Sequence, residues 1–135
     1  MSYKIQDIEG IGPTFGEKLA AASINTTDDL LKHCCDKQGR STMAASTGIS
    51  ESMILKWTNH ADMMRISGVG PEFAELLEAS GVDTVKELRH RNADNLAVKM
   101  AEVNETKKLT RAVPVASIIT KWVEQAKTID PTITH

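Results

Sequence analysis

The chain has 135 residues, 41% hydrophobic and 25% charged, a balance that lets an ordinary globular protein bury a core without metals or disulfides. Its formal net charge of −2 argues against a strong non-specific polyanion binder, whose affinity comes from surplus Lys and Arg. No apolar run approaches the roughly 20 residues that span a bilayer, and the adjacent Cys34 and Cys35 cannot cross-link distant segments, so a reduced, cytoplasmic protein is expected.

Aromatics are only 4% of the residues, so the core must come from Leu, Ile, Val, Met and Ala, most of them good helix formers. Ile8-Glu9-Gly10-Ile11-Gly12-Pro13-Thr14-Phe15 reads as a glycine turn opening a helix. Pro13 falls at a first helical position, where a missing N–H costs nothing. Phe15, Leu19 and Ala22 follow at helical spacing. A second helix opens at Thr26-Thr27-Asp28-Asp29, a hydroxyl followed three residues later by a short carboxylate. It leads into His33-Cys34-Cys35-Asp36. Zinc sites use four ligands, commonly as two spaced pairs. This contiguous cluster has no second pair, and reads instead as a capped helix end with one buried thiol. No metal or other cofactor is expected. Met43–Ile49 reads as a further short helix, and a longer one runs over roughly Glu51–Arg65 with Met53, Trp57, Ala61 and Met64 on one face.

At Ile66 the pattern starts again. Ile66-Ser67-Gly68-Val69-Gly70-Pro71-Glu72-Phe73 repeats the first turn at an offset of 58, and Glu75, Leu77, Val82, Thr84 and Leu88 match Glu17, Leu19, Ile24, Thr26 and Leu30. Gly81 stops the first helix of this copy. Thr84-Val85-Lys86-Glu87 is a capping-box pattern for the next. Leu96, Met100 and Val103 mark another helix. After Pro114, the residues Val115, Ile118, Ile119, Trp122, Val123 and Ala126 form the apolar face of the last one. Lys56-Trp57 and Lys121-Trp122 close the two copies at an offset of 65, which places seven extra residues near Lys107–Val115. The fold class is all-α, with repeats over 1–62 and 63–135. The helix over 51–65 serves both copies and no flexible linker separates them, so one compact unit is expected.

The paired Ile-x-Gly-apolar-Gly-Pro-x-Phe-x-x-x-Leu turns, each followed by a Thr-capped helix, resemble helix-hairpin-helix motifs. In this form they are most similar to the uncharacterised bacterial domain-of-unknown-function 4332 family. The resemblance implies duplicated helix-hairpin-helix units that hold a nucleic-acid backbone phosphate through main-chain N–H groups, without reading bases. By matching position, the donors are the amides of Gly10, Ile11 and Gly12 and of Gly68, Val69 and Gly70, with Lys18 the cation after the first turn. Some relatives also bind a monovalent cation with hairpin carbonyls. Elementary physics agrees with a phosphate role: glycines permit close backbone approach, and a helix N-terminus favours an anion.

The second copy departs from that pattern, since Glu72, Glu75 and Glu78 form an acidic stripe after its turn. That turn is expected to be structural or protein-facing. Two functions therefore stand side by side. One is a non-enzymatic accessory protein with weak, sequence-independent binding to DNA or RNA backbone. The other is a protein-interaction or scaffolding module whose hairpins are structural only. The basic residues Lys86, Arg89, His90 and Arg91, and then Lys107, Lys108 and Arg111, lack interleaved aromatics and read as solvated faces. Trp57 and Trp122 read as core. There is no nucleophile–base pair, nucleotide-binding glycine motif or nuclease-like carboxylate cluster, so no enzymatic activity is expected. Oligomeric state is left open.

Overall fold

A computed structural model describes residues 2–135 and shows an all-α fold. A 3-10 turn at Ile5–Asp7 precedes eight α-helices: α1 Pro13–Ala21, α2 Thr27–Cys34, α3 Lys37–Thr47, α4 Glu51–Met63, α5 Pro71–Ala79, α6 Val85–Leu88, α7 Ala93–Lys107 and α8 Ala116–Ala126. Among the described residues no helix is long and apolar enough to cross a membrane.

Side-chain caps set most of the helix starts. Thr26, Asp36, Ser50, Thr84 and Asn92 each accept a hydrogen bond from the backbone N–H three residues on. Each such cap contributes about 1 kcal/mol. The complete capping box forms at Thr26, where Asp29 reaches back to the Thr26 amide at 3.1 Å. Thr84 makes the forward bond to the Glu87 amide at 3.3 Å, while the Glu87 carboxylate lies 3.6 Å from Arg91. The longer Glu arm is drawn to a charge further along, and the shorter Asp stays at the cap.

The seven extra residues of the second copy are spread out, and are not confined to Lys107–Val115. The offset falls to 56 at the caps Asp36 and Asn92, rises to 60 at the helix ends Gly48 and Lys108, and reaches 65 at the tryptophans. Thus α6 is cut to one turn, α7 is longer than α3, and the connection into α8 is longer than that into α4.

The helix α4 holds the molecule together. It packs on α2 and α3 and also on α5, and every residue from Trp57 to Met63 is buried. A one-sided apolar stripe was expected; tertiary packing instead surrounds the C-terminal half of the helix. Its polar side chains need partners as a result. Thr58 Oγ1 donates to the Ile54 carbonyl at 2.6 Å. Asp62 accepts from the Val85 amide at 2.8 Å and from Arg65 Nη1 at 2.7 Å. His60 Nε2 stands 3.2 Å from Glu78 Oε1 on α5 but makes no hydrogen bond among the described residues, and Asn59 Oδ1 is likewise buried without one. In the second copy α8 packs on α6 and α7, burying Ile119, Trp122, Val123 and Ala126. Val115 and Ile118, expected on that face, are exposed at 63% and 39%. They lie at the open N-terminal end of α8, where no helix covers them. One hydrophobic core runs through both copies.

Candidate functional site

The two glycine turns are built alike. Gly10 and Gly68 have φ of 92° and 94°, a conformation that strains any residue with a Cβ. The next amide closes each turn: Ile11 N–H donates to the Ile8 carbonyl at 3.1 Å, and Val69 N–H to the Ile66 carbonyl at 3.0 Å. The Ile11 and Val69 side chains are buried. These two residues therefore plug the core with their side chains and spend their amides internally. Beneath each turn lies a tryptophan. A Cβ on Gly10 would meet Trp57 Nε1 at 3.5 Å, and one on Gly68 would meet Trp122 Nε1 at 3.1 Å. Phe15 packs on Trp57 with ring centroids 5.1 Å apart, and Phe73 on Trp122 at 5.4 Å.

The second glycine of each turn is different in kind. Gly12 and Gly70 are the N-caps of α1 and α5, in extended conformation, and a Cβ on either would meet no atom within 4 Å. Internal sterics do not demand glycine there. Neither helix has a side-chain cap, and proline at the first helical position supplies no N–H. The amides of Thr14 and Phe15, and of Glu72 and Phe73, are thus the uncapped donors of positively polarised helix ends. The amides of Gly10 and Gly12 also take no part in closing their turn.

Charge separates the two turns. Lys18 is exposed, and its Nζ lies 5.9 Å from the centre of the Phe15 ring, which draws the ammonium back toward the first turn of α1. The matching residue in the second copy is Leu76, fully buried. Around the second turn, Asp7 and Glu9 of the first copy join Glu72 in lining a cleft of about 420 Å³ with Gly68, Gly70, Pro71 and Phe73. The acidic stripe is only partly free. Glu72 is exposed, but Glu75 and Glu78 are half-buried, and Glu78 faces His60 and also Lys56 at 3.8 Å.

The glycine turns and the tryptophans beneath them fall within one matched segment: a family model described as a domain of unknown function, DUF4332, covers residues 9–129. The chain belongs to the DUF4332 family. No curated protein and no solved structure matches it.

Other groups of this DUF4332 chain take structural positions. Arg89, expected on a solvated face, donates to the carbonyls of Ala126 and Ile129 at 3.2 and 2.6 Å. Arg91 donates to the Gly81 carbonyl. Lys107, Lys108 and Arg111 are exposed. Cys34 is the buried last residue of α2, as expected of one buried thiol at a helix end, but the cap in the cluster, Asp36, belongs to the start of α3. Burial pushes the Cys34 thiol up to about 11, with the nearby Arg40 guanidinium acting the other way. Among the described residues no three His, Cys, Asp or Glu side chains are placed to hold a metal ion. Asp62, Arg40 and Arg65, which carry the densest polar networks, had not been singled out.

Proposed function

We propose that this DUF4332 protein is a non-enzymatic helix-hairpin-helix module whose first turn contacts a nucleic-acid backbone phosphate weakly and without base preference. The observation that carries this reading is the open N-cap at Gly12. A glycine that the fold does not require leaves free amides at a helix N-terminus, with Lys18 as the nearest following cation. The second turn has the same open cap but a buried leucine in place of the lysine, and Glu72 joins Asp7 and Glu9 beside it, so it offers phosphate no cation. A single productive contact fits the net charge of −2 and implies low affinity.

Anisotropy titrations of labelled single- and double-stranded DNA and RNA, at low and physiological salt, test the reading. Gly12→Ala puts a methyl over the free amides without steric conflict in the fold. It should weaken binding with only a small shift in the melt, matched by Gly70→Ala, which should leave binding alone. Lys18→Glu should weaken all sequences equally, by roughly fivefold, as expected for losing one phosphate contact of about 1 kcal/mol. Absence of binding at low salt overturns the proposal.

A second reading, a protein-interaction module, is favoured by the acid-lined cleft between Asp7, Glu9 and Glu72. Its size suits one basic side chain of a partner, with the Phe73 ring beside the cation. Titration with a lysine-rich peptide, against Glu9→Lys and Glu72→Lys, separates the two readings.

A further inference from the structure

After α8 the chain runs without regular structure from Lys127 to His135, and three arginines hold it. Arg89, just beyond α6, donates to the carbonyls of Ala126 and Ile129. Arg65, just beyond α4, donates through Nη2 to the Asp130 carbonyl and through Nη1 to Thr132 Oγ1, both at 2.9 Å. Arg40, on α3, donates to the Thr134 carbonyl at 2.8 Å. In return the Thr134 amide donates to the Cys35 carbonyl at 2.8 Å. Only Ile133 is buried, at 8% exposure; Asp130, Pro131, Thr134 and His135 are exposed.

Nearly every polar contact in this strap is therefore made to main chain, and one apolar residue anchors it. That is how a groove recognises an extended peptide: donors for its carbonyls, an acceptor for an amide, and a socket for one side chain. We propose that the groove formed by Arg40, Arg65, Arg89 and the Cys35 carbonyl is a receptor for an extended peptide, which the chain's own C-terminal segment occupies in the closed state. The peptide it fits has a β-branched apolar residue in the Ile133 socket and a hydroxyl residue one position before. A nucleic-acid strand fits less well, because it offers neither an amide for the Cys35 carbonyl nor an apolar group for the socket. Arg40 is only 4% exposed with the strap in place; without it the guanidinium keeps the Cys34 carbonyl at 3.0 Å, so the groove stays formed while the donor that served Thr134 favours a new acceptor, in cis or in trans. Beside His135 the groove continues as a hollow of about 210 Å³ lined by Lys37, Glu51, Ser52 and Leu55, with room for a longer peptide. This proposal uses no residue of the glycine turns and stands independently of phosphate binding there.

The tethered strap competes at an effective concentration near millimolar, so a free peptide should bind the wild-type chain weakly. The probe is a fluorescent synthetic peptide with the sequence of Thr128–His135. Full-length protein carrying Ile133→Ser and Thr132→Ala loosens its own strap while leaving the groove intact. It should bind the probe at least about tenfold more tightly than wild type. Adding Arg40→Lys should abolish that gain, and a scrambled peptide should not bind. If the folded double variant ignores the probe up to millimolar concentration, or takes the scrambled peptide equally well, the proposal fails. Hydrogen exchange on the wild-type chain decides the matter without a variant. The Thr134 amide should exchange through a local opening, faster than the amides of α8, and exchange only by global unfolding overturns the proposal. Concentration-dependent dimers that the probe dissociates would support it and identify a second copy as one source of the peptide.

Discussion

Ser23 and Gly81 occupy the same position after α1 and α5, 58 residues apart, and both have positive φ, 67° and 94°. Their surrounding bonds also match: Ile24 N–H donates to the Leu19 carbonyl at 2.8 Å, and Val82 N–H to the Leu77 carbonyl at 2.9 Å. The second copy meets the left-handed turn with glycine; the first meets it with a residue that resists it.

Ser23→Gly should therefore stabilise the protein by about 0.5–1 kcal/mol, the relief of a left-handed Cβ less the extra entropy of glycine in the unfolded chain. Gly81→Ser should cost a similar amount. Urea melts of the two variants check both signs. Lys108, left-handed at φ 52° where α3 ends on Gly48, gives the same test at a second site.

The turn glycines should separate into two classes. Gly68→Ala strains the backbone and presses Trp122 Nε1, whereas Gly10→Ala meets Trp57 at the looser distance, so Gly68→Ala should be the more damaging, at about 2 kcal/mol. Gly12→Ala and Gly70→Ala should cost only the loss of a glycine N-cap, about 0.5–1 kcal/mol and a few degrees at most, with no strain added. Trp122→Ala should cost about 3–5 kcal/mol as a core deletion. Equal melting temperatures for Gly68→Ala and Gly70→Ala would contradict this assignment.

Asp62 is 1% exposed and serves two donors, the first amide of α6 and the Arg65 guanidinium. Asp62→Ala strands the buried Val85 amide and takes from Arg65 its charged partner, leaving it Thr132 and the Asp130 carbonyl. The loss should be about 3 kcal/mol or more, characteristic of breaking a buried charge pair from one side. Asp62→Asn keeps one acceptor and should cost less. Chemical denaturation gives the ranking.

The two cysteines should react very unequally. With its thiol raised to about 11, Cys34 is neutral at pH 8, with about one molecule in a thousand as thiolate, and it is also shielded. A chromogenic disulfide should label one thiol quickly, at half-buried Cys35, and the second only on unfolding. The same shift sets a pH dependence. The unfolded thiol ionises near 9 while the folded one holds its proton, so Cys34 favours the fold below pH 9 and loses that contribution as pH rises from 9 to about 11. Cys34→Ala should flatten the alkaline limb of a stability profile.

The features legible in the sequence share a local cause. The helix starts at Pro13 and Pro71, the cap at Thr26 and the stop at Gly81 depend on residues within one turn of each other, and the repeat made each visible twice. Ser23 could have been found as well, by sliding Gly81 back along the 58-residue offset. The buried polar side of α4 was not legible. Asp62 and Arg65 look like the solvated last turn of an amphipathic helix, because their partners Val85, Asp130 and Thr132 lie 23, 65 and 67 residues away. For the same reason Arg89 passed for a surface charge. At the glycine turns the sequence marked the right residues but could not divide their labour. Ile11 and Val69 differ from Gly12 and Gly70 only once it is known which amides the turn itself consumes.

The helix α4 runs straight into a second glycine turn, whereas the corresponding helix α8 runs into the strap. Each helix of this kind is thus a branch point, from which the chain either enters another glycine turn or folds back across the earlier helices. Grafting a third Gly-Val-Gly-Pro unit after Ala126 would take the strap from its groove, leaving Arg40 with only the Cys34 carbonyl, Arg65 with only Asp62 and Arg89 with only the Ala126 carbonyl. An array lengthened in this direction would need those three positions rewritten at the same time. The seat of the folded-back segment is thus written into residues of both copies.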